Sequence, residues 1–526
     1  MSIKISCAST NAMETSLVQV EAGFMRGFTG ISLLGNASEV CKHGLERARS
    51  ALEASGFSIP QRKILISLLP ADLKKDGSQL DLAIAVTLLL LVSDIKPNVE
   101  LERWLFIGEL ALDGSIRPVK NVISYAIQGA YHNLSGMIVA KENQSDLLCL
   151  DGLSGFDNFK FLSFSSLREL KSWIFEGRLP CQTKPAQVCE PADEKLGFDD
   201  MVLSDELMKI ALIVSTGKHS VLFYGPPGTG KTMFSSRLVN IFPHLDAQDF
   251  FESLKIHSSF ALKLPKSLLV GKPPFRSPHH QTSSAAVLGT PDSPGEISLA
   301  HGGLLFLDEL PEFRRDVIES LREPLEAGVI QVSRANMKGA WKCEFTLIAA
   351  CNPCPCGWLG SKQRRCMCPT TKIQAYRRKL SGPVLDRIDL HVNLFENNIN
   401  QSDLLTTLNG ASSQGGQTAQ LRNKVCQARE FAMKRNKKLM VKSNKDLKPN
   451  LLLEASGLGG SDFKQLVQKT MPKGISHRSM VRSLQVARTL ADLEQRPQIN
   501  ELDIKSSLKW QAEAAAKERG DFALGL

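Results

Sequence analysis

The chain has 526 residues, 43% of them hydrophobic, and a net charge of +10, so two or three globular domains are expected. No apolar run approaches the roughly 20 residues of a membrane helix, and "MSIKISCAST" at the start has no apolar signal region; membrane and secreted classes are set aside and a cytoplasmic location is expected. Twelve cysteines in that setting point to free thiols or metal ligands rather than a disulfide framework, and the mild positive charge is compatible with a polyanionic partner.

Residues 1–178 alternate strand-like and helix-like segments. "KILISLLP" predicts a strand and "DLAIAVTLLLLVS" a buried helix. "LFIGELALDGSI" predicts a strand pair turning at Asp113-Gly114. A Pro-rich, charged stretch without periodicity predicts a linker over 179–195. Strands and helices alternate again over 196–400. "NGASSQGGQT" predicts an exposed connection. The rest of 401–526 is helical in pattern, as in "FKQLVQKT" and "MVRSLQVARTLADLEQ".

The phosphate-binding motifs lie in the middle region. "VLFYGPPGTGKTMFSSRLV" places Gly225, Pro226, Pro227, Gly228, Thr229, Gly230, Lys231 and Thr232 between an apolar strand and a helix. Glycines let backbone N–H groups converge on phosphates, and the helix N-terminus adds a favourable dipole. Lys231 then reaches the β- and γ-phosphates of ATP, and the Thr232 hydroxyl ligates Mg2+. In "GGLLFLDELPEF" a buried strand delivers Asp308, a second Mg2+ ligand, and Glu309, a general base for the attacking water. A further strand, "FTLIAACNPC", ends at Asn352. An amide there can orient the water or touch the γ-phosphate; otherwise it closes the turn before Pro353. Arg387 in "SGPVLDRIDLHV" and Arg478 in "ISHRSMVRSLQVARTL" are candidates for stabilising transition-state charge, Arg387 from a neighbouring subunit and Arg478 as a lid closes. Each also fits a surface salt bridge.

Cys354, Cys356, Cys366 and Cys368 form two Cys-x-Cys pairs. Four thiolates can close a tetrahedral zinc site, although the one-residue spacers are tighter than usual. Buried inert thiols and a redox disulfide are the alternatives. Zinc would hold a basic projection rigid, with Lys362, Arg364, Arg365, Arg377, Arg378 and Lys379 facing phosphates. The ATP motifs lie outside this loop in sequence, so its loss is expected to impair DNA binding more than hydrolysis.

"GPPGTGKT", "FRSPHHQTSSAAVLG", "PGEISLAHGGLLFLDELPEF", "LREPLEAG", "AACNPCPCG" and "LSGPVLDRIDL" together resemble AAA+ ATPases of the magnesium-chelatase-like branch, and within it the ComM (YifB) family of bacterial DNA helicases. The resemblance covers nearly the whole chain. It implies an α/β protein: a Lon-protease-like α+β domain, an AAA+ parallel-sheet ATPase core and a C-terminal helical lid. It implies a homo-hexameric ring with ATP between subunits, Arg387 acting in trans and Arg478 as a second sensor, with Arg482 as the competing assignment. It also implies a helix-2 insertion within Gly271–Pro294 and a hairpin through "GVIQVSRANMKGAWKCEF", both facing a pore, where Arg334 and Lys338 either grip phosphates or form an ordinary solvated turn. The activity implied is DNA branch migration during natural transformation and recombination. The implied partners are branched or three-stranded DNA and possible contact with a recombinase filament.

"KKDGSQLDLAIAV" and "GELALDGSIRPVKNVI" resemble the Lon segments that carry the protease's nucleophile and lysine. Here Gln79 and Ile123 occupy those positions, and neither side chain can attack a carbonyl or accept its proton. Ser78 lies one residue off and Lys120 about one turn away. A scaffold without protease activity is expected. The rival functions are a magnesium-chelatase-type remodelling subunit, an ATP-dependent protease and a non-hydrolysing ATP-binding scaffold.

Overall fold

The computed structural model describes residues 3–11, 14–93, 95–179, 197–201, 203–334, 337–361, 364–380, 382–394, 416–472 and 475–511. Two sheets organise the chain. The first contains β1 (Ile3–Asn11), β2 (Glu14–Met25), β3 (Gly30–Leu34), β4 (Lys63–Leu69), β5 (Trp104–Phe106), β8 (Gly136–Ala140) and β9 (Lys160–Phe164), in the order β3-β4-β2-β1-β5-β8-β9. Strand β4 alternates buried and half-buried residues, the period-2 pattern of a strand with one face on a core. The helix Asp81–Val92 is buried over most of its circumference. It lies against β1, β2 and the helix Glu39–Ala54, so its uninterrupted apolar sequence serves a core rather than a membrane. No helix among the described residues is long and apolar enough to cross a membrane. The expected hairpin is present as β6 (Glu109–Leu110) and β7 (Ile116–Arg117), paired antiparallel around Gly114.

The second sheet is fully parallel: β11 (Phe275–Arg276), β14 (Leu304–Leu307), β17 (Thr346–Cys351), β10 (Val221–Tyr224) and β18 (Leu390–Asn393), in the order β11-β14-β17-β10-β18. Strands β10, β14 and β17 are buried along their whole length, as expected of a parallel sheet covered on both faces. Between β11 and β14 lie the helix Ser284–Leu288 and a two-residue pair, β12 (Gly289–Thr290) with β13 (Ser293–Pro294). The predicted hairpin is β15 (Val329–Arg334) with β16 (Met337–Lys342). Trp341 Nε1 donates to Thr290 O at 2.8 Å, so this hairpin and the insertion are packed together.

The C-terminal helices are Gln417–Leu439, Leu452–Ser456, Gly460–Thr470, His477–Leu493 and Glu501–Leu508. Leu421, Val486 and Trp510 join the core of the parallel sheet, whereas Leu439, Leu447, Leu484 and Ile504 form a smaller core of their own. Side-chain caps set the helix starts: Ser476 accepts from Ser479 N, and Asn500 with Asp503 forms a capping box.

The two sheet regions also touch away from the linker, most of which lies outside the described residues. Asn121 N donates to Ser258 O at 2.9 Å, and Leu264 N donates to Asp146 Oδ2 at 3.3 Å. Of the predicted exposed connection 409–418, only Gly416–Thr418 are described. Thr418 is tied back: its hydroxyl accepts from Phe198 N at 2.7 Å and donates to Asp199 Oδ2 at 2.6 Å.

Candidate nucleotide site and cysteine cluster

In a parallel sheet the loops after the strands converge on one edge. Gly225 follows β10, Asp308 follows β14 and Asn352 follows β17, which ends one residue earlier than expected. Gly225 N donates to Cys351 O at 3.2 Å, fixing the phosphate loop against the sensor strand. A Cβ on Gly225 would stand 2.4 Å from Leu394 O, whereas Gly228 and Gly230 face open space at φ +83° and +80°. That is the backbone a loop needs to present N–H groups to an anion.

Thr232 Oγ1 donates to Asp308 Oδ2 at 2.7 Å. Two oxygen ligands in contact fit a Mg2+ ion that keeps most of its water. Lys231 Nζ donates to Gly225 O and Pro226 O, both at 2.7 Å, and burial pushes its ammonium below the ordinary lysine value. Glu309 is exposed and adopts φ +50°, ψ +47°, a region that few non-glycine residues enter. Its N–H donates to Asp308 Oδ1 at 2.9 Å. Its carboxylate lies 3.5 Å from His280 Nδ1. In the sequence the only signal of this contact is the adjacent pair His279-His280 ahead of the strand that bears Glu309.

The arginines occupy the other edge of the sheet. Asp389 immediately precedes β18, and its Oδ2 accepts from Ser220 N, just before β10, at 2.9 Å. Arg482 donates to Ile388 O at 2.9 Å and lies 3.5 Å from Asp389 Oδ1. Arg387 and Arg478 converge on one carboxylate, Glu326: Arg387 is ion-paired to it, and Arg478 Nη2 donates to it at 2.7 Å. The Arg387 guanidinium, followed by that of Arg478, holds Glu326 below the usual carboxylate range. Glu326, Arg387, Arg478 and Arg482 line a cleft of about 830 Å3. Arg478, the candidate for contacting nucleotide as a lid closes, stands beside Arg387 on Glu326, across the sheet from Lys231.

The cysteine loop leaves β17 at the nucleotide edge. All the described cysteines are free thiols. The sulfurs of Cys354, Cys356, Cys366 and Cys368 lie within 4.8 Å of one another. Those of Cys354 and Cys356 are 3.3 Å apart, and Cys366 is 3.6 Å from each. A disulfide needs about 2 Å, whereas Zn–S bonds of about 2.3 Å in a tetrahedron place sulfurs about 3.8 Å apart. The set therefore fits zinc. Burial opposes charge on Cys356, but the Trp358 backbone N–H and the neighbouring thiols favour its thiolate, while burial with the same thiols pushes Cys366 up and Cys356 pushes Cys368 up.

Although the ATP motifs lie outside this loop in sequence, the loop touches them in space. Gly357, at φ +81°, leaves room for Pro227 of the phosphate loop, whose Cδ would stand 2.7 Å from an added Cβ. Five of the six expected basic residues are described. Arg364 and Arg365 are exposed, Arg364 lying over the Trp358 ring. Arg378 is exposed and Arg377 half-buried. Lys379 is 3.3 Å from Glu312. Lys362 and the side chains of Arg334 and Lys338 lie outside the described residues.

In the Lon-like region Gln79 is buried with Nε2 donating to Asp76 O at 2.7 Å, and Ile123 is fully buried. Ser78 Oγ donates to Glu109 Oε2 at 2.5 Å, and Lys120 is exposed.

Comparison with known proteins accords with this geometry. A family model described as magnesium chelatase, subunit ChlI, matches residues 198–403. A model for subunit ChlI of Mg-chelatase matches 20–143, and one for the ChlI C-terminal part matches 415–511. "Competence protein ComM" of Haemophilus influenzae is 34% identical over 508 residues, 95% of either chain. "Uncharacterized protein YifB" of Salmonella typhimurium is 35% identical over 94% of either chain. A protein of Mycobacterium bovis is 31% identical over 94% of this chain and 96% of its own.

Proposed function

Because the chain belongs to the ComM (YifB) family of magnesium-chelatase-like AAA+ proteins, we propose that it is an ATP-hydrolysing DNA motor that drives branch migration of recombination intermediates, including those formed during natural transformation. The observation that carries this reading is the division of charged groups between the two edges of one parallel sheet. Lys231, Thr232, Asp308, Glu309 and Asn352 stand at one edge, and Arg387, Arg478 and Arg482 at the other.

In that reading the backbone of Gly225–Gly230 and Lys231 binds the phosphates of ATP, and Thr232 with Asp308 holds Mg2+, which neutralises charge on the transferring phosphoryl group. Glu309 accepts a proton from the attacking water, and Asn352 orients that water. The arginines stand at the opposite edge of the sheet from their own chain's phosphate loop, so they serve a neighbour's nucleotide. This arrangement supports a closed ring, taken here as a hexamer, in which each subunit completes the next one's site. Both Arg387 and Arg478 act in trans, leaving Arg482 to its ion pair with Asp389.

The division into 1–178, a linker at 179–195, an ATPase core over 196–400 and a helical segment over 401–526 belongs to the same proposal, as does a cytoplasmic location. The packed pair of β12–β13 and β15–β16 is the candidate DNA-gripping element, with Arg334 and Lys338 at its tip. Zinc at the four cysteines is the third cofactor.

The name of relative "Competence protein ComM" supports action on incoming DNA. The magnesium-chelatase family models support one alternative, a remodelling subunit for a metal-inserting partner. The test is displacement of a labelled strand from a three-stranded DNA junction. The motor reading expects ATP-dependent displacement that Lys231→Ala abolishes. Displacement equal in both proteins, or absent with active ATPase, overturns it.

A further inference from the structure

The cysteine cluster joins the two halves of the nucleotide site. Strand β17 lies between β14, which carries Asp308 and Glu309, and β10, which carries the phosphate loop. The chain leaves β17 through Asn352 and turns at once: Gly357 N donates to Cys354 O at 2.9 Å. Cys354 is fully buried. The turn sets Gly357 against Pro227, with Cδ and Cγ only 2.7 and 3.1 Å from where a Cβ would be. Asn352 Cγ lies 3.9 Å from the same point. Pro227 is exposed, and this turn packs against its ring.

The second Cys-x-Cys pair leads the other way. After Cys368 comes the helix Thr370–Arg378. Its Tyr376 is buried, and burial, reinforced by the nearby carboxylates of Glu312 and Glu309, pushes its phenol up. Lys379 at its end pairs with Glu312 at 3.3 Å. Cys354 and Cys356 belong to the turn at Gly357, and Cys368 lies just before the helix whose end reaches Glu312. The four sulfurs meet between these two elements.

We propose that a soft divalent cation, zinc by its donor set, bound to Cys354, Cys356, Cys366 and Cys368 is a clasp that holds the phosphate loop in its ATP-binding shape through the Gly357–Pro227 contact. Without the metal, the turn at Gly357 is free to move, and the loop's N–H donors lose their alignment. The metal site then sets nucleotide affinity, and not only the position of a basic projection. This inference rests on the reading of Gly225–Thr232 as an ATP site.

The test measures zinc content and equilibrium ATP binding together, on the full chain prepared under reducing conditions. Wild-type protein is expected to hold about one zinc per chain. Cys366→Ser with Cys368→Ser is expected to hold none and to bind ATP roughly ten- to hundredfold more weakly, the effect of misaligning one hydrogen bond to a charged group. Gly357→Ala is expected to keep its zinc and still lose affinity to a similar degree, because its Cβ displaces Pro227. This variant also serves if the double cysteine variant does not fold. Stripping zinc with a thiol reagent, then restoring zinc and reductant, is expected to abolish and recover ATP affinity.

Zinc-free wild-type protein refutes the metal. Full zinc and unchanged ATP affinity in Gly357→Ala, or unchanged affinity in a folded, zinc-free cysteine variant, refutes the coupling. Wild-type protein that holds zinc but binds no ATP refutes the nucleotide reading itself, a separate outcome.

Discussion

Arg387→Ala separates a catalytic role from a structural one. The Arg387 side chain is 14% exposed, while its partner Glu326 is 49% exposed. An ion pair with one member so well solvated contributes about 0–1 kcal/mol. Glu326 also keeps Arg478, 2.7 Å away, and the Arg482–Asp389 pair is untouched. Arg387 Nη1 also donates to Pro383 O, so truncation should lower stability by about 1–2 kcal/mol. Loss of a trans arginine should instead slow turnover by about 10^3 to 10^5-fold, or roughly 4–7 kcal/mol of barrier. Thermal melting, ATP binding and steady-state hydrolysis measured on one preparation separate the two effects. The expected result is a near-native melt, retained ATP binding and lost turnover. Mixing Arg387→Ala with Glu309→Gln subunits should restore part of the activity, because some interfaces then combine an intact Glu309 with an intact Arg387. Turnover near wild type in Arg387→Ala alone would make the residue a salt-bridge partner and nothing more.

Glu309→Gln should bind ATP normally, hydrolyse it about 10^2 to 10^4-fold more slowly and stay assembled on DNA; near-normal hydrolysis would remove Glu309 from the mechanism. The N-terminal region should cleave no peptide under any nucleotide condition, since Ser78 donates to Glu109 and Gln79 and Ile123, the residues that the Lon resemblance aligns with the dyad, are buried; proteolysis abolished by Ser78→Ala or Lys120→Ala would contradict this. Burial acts to raise the Asp249 carboxyl, but Lys218 and Lys442, each at 3.0 Å, hold it below the usual range. A depressed acid adds stability that is full above its unfolded value of about 3.9 and is lost as the pH falls toward its folded value. Asp249→Asn should cost about 3 kcal/mol at pH 7, with the gap from wild type shrinking in acid; a gap independent of pH would show that the pair adds no charge-dependent stability.

What was legible in the sequence was what neighbours in the chain determine. The phosphate loop, the strand Leu304–Leu307 with Asp308 and Glu309, and the strand before Asn352 each declare themselves within about a dozen residues, because a buried parallel strand and its following loop are one local pattern. The four cysteines were visible for the same reason. What was not legible depends on pairs far apart in the chain. Arg478 and Glu326, separated by 152 positions, meet only once the C-terminal helices pack on the sheet. That contact places Arg478 beside Arg387 at the far edge of the sheet. Gly357 against Pro227 is likewise a tertiary contact, made by a missing side chain that leaves no periodic trace. His280 beside Glu309 could be suspected only as a histidine pair without a role.

The central claim is that ATP hydrolysis in this chain is coupled to DNA. The most direct measurement is steady-state ATP turnover with and without a branched DNA junction, with Lys231→Ala as the blank. The account predicts turnover that rises when the junction is added and disappears in Lys231→Ala. Robust turnover indifferent to DNA of any form would contradict the motor reading and favour a remodelling subunit for another partner.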